Sequence, residues 1–173
     1  MSSAKGFSLI ELLIVVAIIL VIAAIAIPNL LQARISANEA SAVGGLSAIK
    51  SAEVTYYTSY PAAGYANDMA TLGGASPCTP SSTTACLVDS AMTAAIPGGV
   101  SKSGYFFLVT GVMTPGAVIN TAFVAGAAPV AVHSTGNHDY CSTNDGILRS
   151  QLGIVGDVPV GSLASCITFP VAQ

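Results

Sequence analysis

Sixteen consecutive residues, Leu12 to Ile27, contain no polar side chain. At about 1.5 Å per helical residue they reach roughly 24 Å, short of a hydrocarbon core about 30 Å thick. Starting instead at Phe7 gives about 32 Å, which spans that core but draws Glu11 into the apolar length. A carboxylate at membrane depth costs about 2.5–3.5 kcal/mol, so Glu11 either has a partner and a function or rides at headgroup level. The flanking charges, Lys5 on one side and Arg34 on the other, are balanced and set no orientation. Cleavage beyond the apolar stretch, near Ala23-Ala24-Ile25-Ala26, would instead make the run a removable secretory signal.

Outside this run the chain reads as one further domain. It has 173 residues, 53% hydrophobic and 8% charged, too apolar for disorder. A net charge of −3 without a basic stripe argues against a nucleic-acid partner. All four cysteines, Cys78, Cys86, Cys141 and Cys166, follow the apolar run, and none forms a C-x-x-C pair. An even count placed beyond a membrane segment suits disulfides in an oxidising compartment. Of the three possible pairings, Cys78–Cys86 with Cys141–Cys166 closes the shortest loops and is the expected one; buried free thiols are the alternative.

The residues Gly6-Phe7-Ser8-Leu9-Ile10-Glu11, followed by Leu12-Leu13-Ile14-Val15-Val16-Ala17-Ile18-Ile19 and by Ala23-Ala24-Ile25-Ala26-Ile27-Pro28, resemble the processing and methylation motif of type IV pilins and type II pseudopilins. The resemblance covers about the first third of the chain. It implies a leader at 1–6, cleavage after Gly6 by a prepilin peptidase and N-methylation of Phe7. It also implies that the apolar helix is retained, with the leader inside and the head periplasmic. In that family the glutamate matching Glu11 neutralises the N-terminal amine of a neighbouring subunit, so Glu11 acquires an assembly salt bridge. The implied partners are identical subunits in a helical filament, the peptidase and an inner-membrane assembly machinery. The implied role is a structural, non-enzymatic subunit of a type IV pilus-like surface filament. A type II secretion pseudopilin and a minor pilin with an adhesive or receptor role share the same N-terminal features.

The expected fold is α+β, a long transmembrane and stalk helix packed on a small antiparallel sheet. Residues 7–31 form the transmembrane and assembly half of the helix, 32–60 its amphipathic half and 61–173 a globular head. Pro28 removes the donor for the carbonyl of Ala24, predicting a kink or local unwinding. Ile35, Ala42, Leu46, Ile49, Tyr56 and Tyr60 step by 7, 4, 3, 7 and 4 and share one face. Gly44-Gly45 interrupts this stretch, either as a close-packing site or as a tolerated weak point. The tyrosines Tyr56, Tyr57 and Tyr60 suit packing beneath a sheet better than electron transfer.

Within the head, 61–104 reads as a long loop with a short helix near 88–95. Strands are expected at 105–109, 122–125 extending toward 132, 139–142 and 147–150, with Asn144-Asp145-Gly146 as a hairpin turn. The segment after Gly153 reads as irregular, and it is tethered if Cys141 pairs with Cys166. The polar tip Thr79–Thr84 reads as a solvated loop, with O-linked sugar as the lesser alternative.

Two site patterns carry little weight. Ser47-x-x-Lys50 with Lys102-Ser103-Gly104 mimics serine penicillin-binding motifs, but the S-D-N element is missing. No cofactor or metal is expected. Calcium is a minor alternative, with Asp139, Asn144, Asp145 and Asp157 as its oxygen ligands, while His133 and His138 read as solvated.

Overall fold

The computed structural model describes residues 6–156 and 158–172. Leader residues 1–5, including Lys5, and Asp157 from the calcium set lie outside the described residues. The chain divides into two units, Met1–Arg34 and Ile35–Gln173. The first helix, α1 (Leu9–Ser59), contributes to both.

In the first unit, helix α1 begins at Leu9, with Leu12 N–H donating to the Ser8 carbonyl at 3.2 Å. The large apolar side chains from Leu9 to Leu31 are 45–77% exposed. Exposure on every face distinguishes this segment from the core helix of a soluble protein. It is long and apolar enough to cross a membrane. The helix runs through Pro28 without interruption, so the expected local unwinding is absent. One ring removes one donor, and the Asn29 side-chain amide donates to the Ile25 carbonyl at 3.1 Å beside it.

In the second unit, α1 buries Ile35, Ala42, Gly45, Leu46, Ile49, Ala52, Glu53 and Tyr56. Four strands follow in the order β1 (Tyr105–Val112), β2 (Ala122–Pro129), β3 (His138–Thr143) and β4 (Leu148–Leu152), each antiparallel to the next. Each observed strand is within a few residues of its expectation. The β3–β4 turn closes with Gly146 N–H donating to the Thr143 carbonyl at 3.0 Å, and Gly146 holds φ of +75°. That left-handed conformation is why glycine follows Asn144-Asp145.

Period-2 alternation assigns the two sheet faces. Tyr105, Phe107 and Val109 of β1, Phe123, Ala125 and Ala127 of β2 and Tyr140 of β3 join the α1 residues in the main core. Val124, Cys141, Cys166 and Phe169 form a second cluster on the opposite face. Strand β2 is buried along its whole length, and its composition, Ala-Phe-Val-Ala-Gly-Ala-Ala-Pro, has no polar side chain for either side. At Gly126 a Cβ would run into the backbone of Val160, so only glycine lets the C-terminal segment lie this close.

That C-terminal segment is more ordered than expected. It contains a one-turn helix, α4 (Leu163–Cys166), capped by Ser162. Two further one-turn helices, α2 (Met69–Leu72) and α3 (Ser90–Thr93), are capped by Asp68 and Asp89. Only α3 falls where a helix was expected. Both sheet edges are occupied by irregular chain. Beside β1, Phe107 N–H donates to Ala95 O at 2.6 Å and Gly111 N–H to Asn67 O at 3.1 Å. Beside β4, Ser150 N–H donates to Pro170 O at 2.9 Å and Ala172 N–H to Leu148 O at 3.0 Å.

Candidate functional site

The chemistry-bearing residues of the first unit lie at its N-terminal end. Gly6, Phe7 and Ser8 precede the helix, and Phe7 is 76% exposed. Glu11 sits in the first turn of α1 and is exposed. A carboxylate in a first helical turn faces unsatisfied amides and the positive end of the helix dipole. That local setting stabilises the helix start while leaving the side chain available to a cation from elsewhere.

In the second unit, polar side chains on α1 fasten the loops around the sheet. Glu39 Oε1 accepts from Asn137 N–H at 2.7 Å and lies 3.1 Å from His138 Nδ1. Asn38 Nδ2 donates to the Thr135 carbonyl at 2.9 Å, and Ser41 Oγ donates to Ser103 Oγ at 2.9 Å. Tyr105 Oη donates to the His138 carbonyl at 3.0 Å. Burial, reinforced by the nearby Glu39 charge, pushes the Tyr140 phenol up to about 12 and raises Tyr105 as well. Both phenols therefore serve as neutral packing groups at physiological pH.

The structure joins Cys78 to Cys86 and Cys141 to Cys166, with Cα separations of 6.0 Å and 5.8 Å. The first bridge closes a half-buried loop; the second fixes α4 against β3 beneath the rear face of the sheet. Gly45 is buried under β1, where an added Cβ would come within 2.8 Å of the Phe107 ring, whereas Gly44 faces open space. One of the two glycines thus serves close packing and the other does not.

The remaining sequence motifs are dispersed. Lys50 Nζ donates to the Gly146 carbonyl at 3.2 Å, and Lys102 pairs with Asp89 at 3.1 Å. Asp145 is held by Arg149 at 2.6 Å. The Arg149 hydrogen bond, helped by the Ile147 amide, brings the Asp145 carboxyl down to about 2. Asp139 lies buried on β3. Among the described residues, no three His, Cys, Asp or Glu side chains are grouped to hold a metal ion. Tyr56 packs 5.1 Å from Tyr60, and Tyr57 lies 4.7 Å from Tyr65, which in turn lies 5.0 Å from Phe123.

Glu53 was missed by the sequence reading. It is fully buried, and its Oε2 accepts from Ala66 N–H at 2.9 Å. The signal was available, because positions 42, 46, 49, 53, 56 and 60 step by 4, 3, 4, 3 and 4. An apolar stripe read only through its apolar members passes over the one acid in it.

Residues 1–27 match the prokaryotic N-terminal methylation motif, and they include Gly6-Phe7, the glutamate in the first turn of α1 and the polar-free run Leu12–Ile27. The type IV wide pilus major component PilA4 of Thermus thermophilus is 67% identical over 39 residues, which cover 22% of this chain and 30% of that protein. The chain thus spans less than a third of the length of the curated relative it matches. Both matches lie in the N-terminal segment, which is thereby similar to that of a type IV pilus component, and the described residues form an α+β arrangement with a long N-terminal apolar helix. No solved structure matches the chain.

Proposed function

We propose that the chain is a structural subunit of a type IV pilus-like surface filament, held in the inner membrane by 7–31 before assembly. The observation that carries this reading is the N-terminal segment itself. A prepilin motif, an exposed apolar helix and a glutamate in its first turn coincide with 67% identity to a pilus component over 39 residues. Cleavage after Gly6 by a prepilin peptidase frees the Phe7 amine, which is then methylated. The Glu11 carboxylate of one subunit pairs with the Phe7 amine of its neighbour as both leave lipid for a protein interior. An unpaired charge there is strongly destabilising, so the pairing selects register as well as contributing energy. The apolar helix stays out of water throughout, and the heads form the outer layer.

Mass spectrometry of sheared surface fibres tests this directly. The expected result is this chain as a dominant component, beginning at a methylated Phe7. Its absence from fibres together with a loss of protein secretion on deletion would assign it to a type II pseudopilin. A trace amount would assign it to a minor pilin. Glu11→Ala is expected to leave cleavage intact and reduce fibre yield; normal yield would refute the salt-bridge role.

A further inference from the structure

Glu53 lies on the buried face of α1 between Ile49 and Tyr56 and is 0% exposed. Its Oε2 accepts from Ala66 N–H at 2.9 Å, while Oε1 has no hydrogen-bond partner among the described residues. Ala66 belongs to the segment that leaves α1 after Ser59. That segment is stitched onward to the sheet. Tyr65 N–H donates to the Asn120 carbonyl at 3.0 Å, Asn120 Nδ2 donates to the Tyr65 carbonyl at 3.0 Å, and Gly111 N–H donates to the Asn67 carbonyl at 3.1 Å. Glu53 is therefore where α1 grips a segment that in turn holds β1 and the β1–β2 connection.

The groups around Glu53 offer it no cation. Tyr56 and Tyr60 face this region from α1 and its end, Tyr65 and Asp68 from the segment, and the phenols of Tyr56 and Tyr65 are both raised, chiefly by burial and further by the Glu53 charge. From the sheet comes the ring of Phe123, 5.0 Å from Tyr65. Lys50, three residues back on α1, is engaged with the Gly146 carbonyl. A carboxylate here would have one amide to set against the loss of its hydration. Burial accordingly pushes the carboxyl up to about 7, with the Ala66 amide acting in the opposite direction. The neutral acid is stable in the closed structure; the ionised form gains by reaching water.

We propose that Glu53 and the Ala66 amide form a proton-operated latch, closed when Glu53 is protonated and opened by its ionisation, which releases segment 60–67 from α1. The ligand is the proton, and the element it controls is the junction between stalk helix and sheet. Closure is strongest below about pH 4.5, where an exposed glutamate would also be protonated, and weakens as pH rises toward 7.

Amide hydrogen exchange of the full chain in detergent micelles, followed at Ala66 by NMR from pH 5 to pH 8, tests the latch. After correction for intrinsic base catalysis, the opening constant at Ala66 is expected to rise roughly fifty- to a hundredfold across that range. Glu53→Gln keeps an acceptor for Ala66 but cannot ionise, so it is expected to flatten this dependence. Carbon-detected titration of the wild-type Glu53 carboxyl supplies a measurement that needs no variant, with a midpoint expected near neutrality. A flat wild-type exchange profile, the same slope in Glu53→Gln, or a Glu53 midpoint in the ordinary glutamate range would each overturn the proposal.

Discussion

Removing the Cys141–Cys166 bridge provides a demanding test of how the rear of the sheet is held. The bridge joins residues 25 apart in sequence. Chain-entropy scaling gives about 3.5 kcal/mol for closing a loop of that size, against about 2.5 kcal/mol for the 8-residue separation of Cys78–Cys86. Burial adds to the difference. Cys141 and Cys166 are both fully buried and pack with Val124 and Phe169, whereas Cys78 and Cys86 are only half-buried. Alanine replacement also leaves a cavity in the rear layer, worth about 1 kcal/mol or more. Cys141→Ala/Cys166→Ala is therefore expected to lose about 4–5 kcal/mol, a large fraction of the 5–15 kcal/mol typical of a domain. Cys78→Ala/Cys86→Ala is expected to lose about half that. Urea unfolding of each full-length variant in detergent micelles, read by near-ultraviolet circular dichroism of the tyrosines, measures both. Equal midpoints for the two variants, or the larger loss on the Cys78–Cys86 side, would refute the argument that loop length and rear-face burial set the cost.

Two smaller perturbations follow from local geometry. Gly44→Ala meets nothing within 4 Å and removes a glycine from a helix interior, so thermal unfolding should show a gain of about 0.5–1 kcal/mol; Gly45→Ala forces a Cβ against Phe107 and should instead lose about 1–3 kcal/mol. Asp145, held down to about 2 by Arg149, should return toward the ordinary aspartate range in Arg149→Ala, as read by carboxyl titration. Because the Asp145 pKa is depressed, its contribution is present above about pH 4 and lost as pH falls toward 2; as the pair is partly exposed, that contribution is at most about 1 kcal/mol.

The elements legible in the sequence are those whose cause is local. The apolar run needs only its own composition. The buried face of α1 needs only a helical period, and the β3–β4 hairpin only the residues that tolerate its turn. The elements that escaped depend on distant partners. Gly126 says nothing about Val160, 34 residues later, yet the layer behind the sheet exists because that glycine admits it. Helix α4 is a single turn whose stability comes from Ser162, Cys166 and the sheet beneath, not from propensity. Glu53 lay in plain view at a helical spacing, but the burial of an acid runs against the usual placement of charge, and the Ala66 amide it meets lies 13 residues on, beyond the end of the helix. At the N-terminal end the motif was fully legible as a pattern, and the partner proposed for Glu11 belongs to another molecule.

The occupied sheet edges bear on how such molecules behave in a crowd. Tyr105, Phe107 and Gly111 on one side and Ser150 on the other already spend their outward amides on Lys102, Ala95, Asn67 and Pro170. An open edge is a template for strand exchange with any similar chain nearby. Edges finished in this way have fewer free amides to lend to a neighbouring strand. Crowded copies of this domain therefore have less tendency to join sheet to sheet.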